Sequence, residues 1–85
     1  MQAILAVFRS RAQTLDFVSR LQKVGVSASA VSTPKEANVG CGISARLSPF
    51  DLGRAKRALA CGNYCAFVGF FRVDNKYGRI FVYPA

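Results

Sequence analysis

Residues 43–51, Ile-Ser-Ala-Arg-Leu-Ser-Pro-Phe-Asp, change periodicity halfway along. Ile43, Ala45 and Leu47 alternate with Ser44, Arg46 and Ser48, the spacing of a strand with one buried face. Pro49 then sits where a fixed φ and a missing N–H suit the first position of a helix, with Ser48 as its cap and Asp51 reaching back. The spacing therefore predicts a third strand running directly into a second helix. Leu52, Ala55 and Leu59 form the inner face of that helix, Arg54, Lys56 and Arg57 point outward, and Gly62 closes it. Gly53 weakens it by about 1 kcal/mol relative to alanine.

Working back towards the N-terminus, Val26 to Thr33 alternates small apolar residues with serine, and Pro34 stops this second strand because proline cannot continue a ladder. Leu15, Phe17, Val18, Leu21 and Val24 recur at helical spacing, with Gly25 as the C-terminal cap. Ser10 and Gln13 have the spacing of a capping box that opens this first helix. Gln2 to Phe8 alternates as the first strand. Working forward, Tyr64 to Val73 predicts a fourth strand, Asp74 to Gly78 a turn, and Arg79 to Tyr83 a fifth strand returning as a hairpin.

The order is βαββαβ plus one strand. This is the pattern of an α+β, ferredoxin-like sandwich in a single domain, residues 1–85, with residues 74–85 as a C-terminal β-hairpin extension. Right-handed crossovers make strands 1 and 2 parallel, with strand 3 between them. The loop between strands 2 and 3 then lies where strand 1 ends and helix 1 begins. Cys41, the Arg9-Ser10-Arg11 segment and the Cys61-Gly-Asn-Tyr-Cys65 turn are thus expected at one pole, where positive potential gathers.

Composition narrows the chemistry. Twelve Lys and Arg against four Asp and Glu leave a formal charge of +8, which favours acidic partners: nucleic acid, an anionic membrane surface or an acidic protein face. No apolar run approaches the roughly 20 residues of a membrane span, so a soluble protein is expected, and a membrane is not among its expected partners. The Ala3 to Phe8 run lacks the basic flank and cleavage site of a signal peptide, and the expected location is cytoplasmic. The absence of histidine excludes imidazole-based hydrolase triads and imidazole metal ligation.

Cys41 stands between Gly40 and Gly42. Glycines reach positive φ, so their N–H groups can converge on an anion, and a thiolate or persulfide suits such a concavity. A glycine-rich turn around a small packed cysteine fits the same spacing. The segments Phe8-Arg9-Ser10, Thr33-Pro34-Lys35-Glu36, Gly40-Cys41-Gly42-Ile43-Ser44-Ala45-Arg46 and Pro49-Phe50-Asp51-Leu52 together resemble the selenium/sulfur carrier family, formerly a domain of unknown function. The resemblance covers residues 3–65 and leaves Phe67 to Ala85 outside. It implies a carrier, without turnover of its own, that takes sulfane sulfur or selenium on Cys41 and passes it on. The implied partner is a cysteine desulfurase or another sulfur- or selenium-handling protein, and no cofactor is implied.

Gly40, Gly42, Arg9, Ser10 and Arg11 are the expected supports of Cys41. Cys61 and Cys65 are candidates to resolve its persulfide, to pack as inert thiols, or to join Cys41 at a zinc ion. A structural zinc needs four ligands and no fourth is in view, so no metal site is expected. Aromatic residues interleave with cations at Phe70-Phe71-Arg72 and Lys76 to Tyr83. An RNA-recognition motif instead carries such rings on its first and third strands, here Ala-Ile-Leu-Ala-Val and Gly-Ile-Ser-Ala-Arg-Leu, so these rings are expected in the core or an interface and nucleic acid is not the expected partner. The edge they create is expected to support a homodimer. The alternative from another class is a small basic module that binds nucleic acid or protein, with Cys41 incidental; salt-dependent RNA binding unchanged by Cys41→Ser would select it.

Overall fold

Ala3 to Phe8 are buried without interruption, a pattern that needs cover on both faces and so belongs to a central strand. The computed structural model describes residues 2–35, 37 and 40–85. In it β1 (Gln2–Phe8) is followed by α1 (Arg11–Lys23), β2 (Ser29–Ser32), β3 (Ile43–Leu47), a 3₁₀ turn (Pro49–Asp51), α2 (Leu52–Cys61), β4 (Phe67–Lys76) and β5 (Arg79–Pro84). The fold is α+β. One five-stranded sheet has the order β2-β3-β1-β4-β5, and every neighbouring pair is antiparallel. β3 therefore lies between β1 and β2, which run parallel. No helix among the described residues is long and apolar enough to cross a membrane.

One face of β1, Ile4, Ala6 and Phe8, joins Phe17, Val18 and Leu21 of α1 and Ala55 of α2 in the core. Phe67 and Phe70 of β4 pack against the same cluster. Burying such side chains contributes about 1.5–3 kcal/mol each. On the opposite face Val7 is fully buried, and Gly40 approaches it closely. The loop that holds Cys41 is thus folded onto the end of the central strand.

The first helix differs from its expected stripe. Leu15 and Val24 are 46% and 56% exposed, while Thr14 is fully buried in line with Phe17, Val18 and Leu21. Residues 14, 17, 18 and 21 follow the i, i+3, i+4, i+7 rule, and Leu15 falls on the flank. A threonine can occupy the core position because its hydroxyl donates to the Ser10 carbonyl one turn back, at 3.0 Å. Gly25, at φ 84, ends the helix in a Schellman arrangement: its N–H bonds to Gln22 and that of Val26 to Leu21.

Other boundaries move for local reasons. The third strand turns first into the 3₁₀ turn, with the Ser48 hydroxyl accepting the Phe50 N–H at 3.3 Å, and Asp51 makes no side-chain cap bond to α2. β2 is shorter than expected, because Val26 and Ala28 enter the core before the ladder begins. Asp74 to Lys76 continue β4 rather than forming the turn; Asp74 is buried and pairs with the Lys76 ammonium at 3.3 Å. The reversal is Tyr77-Gly78, with φ 54 and 73, the two positive values of a type I′ hairpin. Phe81 and Tyr83 on β5 stay exposed.

Candidate functional site

The last peptide of β1 organises the pole. Its Phe8 carbonyl accepts the Cys41 N–H at 3.0 Å, and its Arg9 N–H donates to the Ala66 carbonyl at 2.8 Å. One peptide group thus ties the cysteine loop on one side and the start of β4 on the other. Gly40 allows the loop to come so near: a Cβ there would lie 2.5 Å from Val7 Cγ1 and 2.9 Å from the Phe8 oxygen. Gly40 and Gly42 both have positive φ, 84 and 94, as expected of the segment. The Gly42 carbonyl accepts the Thr33 N–H at 2.8 Å, and the Thr33 and Ser44 hydroxyls bond to each other, closing the loop at its base. Thr33 and Pro34 belong to this base, while Glu36 lies outside the described residues.

Because the Cys41 N–H is committed to Phe8, it does not face outward, and an anion at this loop cannot use it. The Cys41 thiol is exposed and free. Its Sγ lies 3.6 Å from the Ile43 carbonyl oxygen and 3.8 Å from Thr14 Oγ1. Thr14 itself hangs from Ser10, whose carbonyl receives both its N–H and its hydroxyl. Ser10 also caps α1 through its own hydroxyl, accepting the Gln13 N–H at 3.2 Å. Ser10 therefore supports Cys41 through Thr14. Arg9 and Arg11 are exposed and have no ion-pair partner among the described residues.

The second half of the expected capping box is missing because Gln13 is used elsewhere. Its Oε1 accepts the Ala66 N–H at 3.0 Å and its Nε2 donates to Cys65 Sγ at 3.3 Å. Cys41 and Cys65 thus rest on consecutive residues of the first turn of α1. Neither Thr14 nor Gln13 was among the expected site residues. The available signal was Thr14, a hydroxyl at a position that the period of α1 assigns to the core. Cys61 goes elsewhere: it lines a groove of about 320 Å³ between the helices, with Arg20, Val24, Arg54, Arg57 and Ala58.

Tyr64 fixes the turn that carries Cys65. Its ring packs edge-on against Phe17 and Phe8, with centroids at 5.3 and 5.5 Å, and its hydroxyl donates to Asp16 at 2.7 Å while accepting from Arg20 Nε at 3.0 Å. Burial, followed by the bond to Asp16, raises the phenol above its ordinary value of 10.0. A folded-state value above the unfolded one keeps this contribution intact below pH 10 and removes it as pH rises through the folded value. Between about pH 9 and 11, the unfolding free energy of the wild type should therefore fall more steeply than that of Tyr64→Phe. Parallel curves from urea titrations would refute this.

Among the described residues no group of three or more Cys, Asp or Glu could hold a metal ion. A family model described as "Putative Se/S carrier protein-like" matches residues 3–64, which include the strand, loop and helix starts that build this pole. The comparisons with curated proteins and with solved structures give no match. The chain belongs to the Se/S carrier family.

Proposed function

We propose that this member of the family carries sulfane sulfur or selenium on Cys41 between partner proteins. The observation that carries the reading is the attachment of an exposed thiol to the end of the central strand, through the Cys41 N–H and the close seat of Gly40. A carrier needs a thiol that a partner can reach and that stays in place when loaded. Gly42, where an added Cβ would meet no atom of the described residues within 4 Å, puts no side chain in the way of a partner's donor cysteine. The sequence of strands and helices fits a ferredoxin-like unit of β1 to β4, with β5 added outside β4.

In the loading step the Cys41 thiolate attacks the terminal sulfur of a donor persulfide. A new S–S bond forms at Cys41, the donor's S–S bond breaks, and the donor cysteine leaves as a thiolate. An acceptor thiolate repeats the exchange and returns Cys41 to its starting state. No net oxidation occurs. A cysteine desulfurase is the donor this chemistry fits, and the net charge of +8 favours an acidic docking face on it. Free thiols of this kind belong in the reducing cytoplasm, and the protein has no turnover of its own.

The test is intact mass after incubation with a cysteine desulfurase and cysteine. The wild type and the Cys61→Ser/Cys65→Ser double variant should each gain a sulfur atom, and Cys41→Ser should gain none. Full uptake by Cys41→Ser sinks the proposal.

A further inference from the structure

We infer that Cys65 is a second station for the sulfur, loaded from Cys41 within the same chain; this rests on the carrier reading of Cys41. The Phe8–Arg9 peptide brings the two cysteine segments together. Cys41 N and Ala66 O are each within hydrogen-bond distance of it, at 3.0 and 2.8 Å, so they lie no more than about 8 Å apart across one peptide group. Both sulfurs then lean on the same turn of α1, Cys41 on Thr14 and Cys65 on Gln13. Both thiols are exposed. Cys61 has neither connection: it opens on the groove between the helices.

The spacing selects the kind of reaction. Cys41 and Cys65 flank β1 on opposite sides, and two strand spacings amount to about 9.5 Å. A direct disulfide requires Cα atoms within about 7 Å, so closing one would pull both segments off the central strand. A persulfide on Cys41 has the reach of one further S–S bond, about 2 Å. The outer sulfur is therefore the atom Cys65 meets first.

In the transfer, the Cys65 thiolate attacks the outer sulfur of the protonated Cys41 persulfide. The bond between Cys41 Sγ and that sulfur breaks, a bond to Cys65 Sγ forms, and Cys41 leaves as a thiolate. Charge and redox state are unchanged, and no co-reactant is needed. Gln13 is the positioning residue. Its amide is held by the Ala66 N–H on one side, so its Nε2 must face Cys65. A donor aimed at this sulfur bonds an anion more strongly than a neutral thiol.

The experiment loads the full chain with desulfurase and cysteine, blocks it with an alkylating agent and maps the added sulfur by peptide mass spectrometry. In the wild type, sulfur should appear on Cys41 first and on Cys65 later. In Cys41→Ser, Cys65 should stay unloaded. In Gln13→Leu, Cys41 should load normally while the rate of transfer to Cys65 falls roughly tenfold, the worth of one hydrogen bond to a charged group. Cys41 loading that never reaches Cys65 overturns the inference alone; Cys65 loading that persists in Cys41→Ser overturns the inference and, at full uptake, the carrier reading with it. A Cys41–Cys65 disulfide with released sulfide also overturns it. A wild type that never loads Cys41 removes the carrier reading as well.

Discussion

Gly40→Ala is expected to destabilise the protein by about 2–5 kcal/mol, against about 1–2 kcal/mol for Gly42→Ala, although both glycines have positive φ. The shared part is backbone strain, about 1–2 kcal/mol for an L-residue held in left-handed conformation. The difference lies in what the added methyl would meet. At Gly42 no atom of the described residues lies within 4 Å of the added methyl, whereas at Gly40 the methyl would lie 2.5 Å from Val7 Cγ1 and 2.9 Å from the Phe8 oxygen. Val7 is fully buried and cannot swing aside, and the carbonyl belongs to the central strand. Overpacking of this kind costs about 1–3 kcal/mol more. The Phe8 oxygen also holds the Cys41 N–H, so relief of the clash should loosen the thiol. Urea unfolding of both variants measures the difference, and equal losses would contradict the argument.

Where local rules govern the backbone, the sequence was readable. The bounds of β1 and β3 follow from their apolar patterns, and the start of the second helical segment from Ser48 and Pro49, because a cap and a fixed φ act within a few residues. The position of Cys41 beside the end of β1 was also accessible, through the handedness of the crossover. What escaped depends on partners distant in the chain. Gln13 has the spacing of a capping box, yet its amide is taken by Cys65 and Ala66, 52 and 53 residues away. Thr14 escaped because hydropathy ranks Leu15 above it, while the Ser10 carbonyl makes the buried hydroxyl tolerable. The convergent N–H groups expected around Cys41 failed at one point, since its own N–H serves the sheet.

Phe8→Ala should be the most damaging core substitution, and Phe50→Ala one of the least. Phe8 is fully buried, and its ring meets Phe17 and Phe67 at 5.3 Å and Tyr64 at 5.5 Å. Removing a buried phenylalanine costs about 3–5 kcal/mol, and three lost aromatic pairs place this site at the upper end. A small domain holds only about 5–15 kcal/mol in all, so most of the margin goes. With about 4–8 °C of Tm per kcal/mol in domains of this size, the midpoint should drop by roughly 20 °C or more, or the cooperative transition should vanish. Phe50, 97% exposed beside the cap of the 3₁₀ turn, should change stability by no more than about 0.5 kcal/mol. A fall of under about 5 °C for Phe8→Ala would mean that the four rings do not form the joint between sheet and helix. The consequence reaches the thiols, because the Phe8–Arg9 peptide carries the bonds to both Cys41 and Ala66. A cavity beneath it frees the two cysteine segments from each other, so any surviving Phe8→Ala protein should load Cys41 but lose transfer to Cys65.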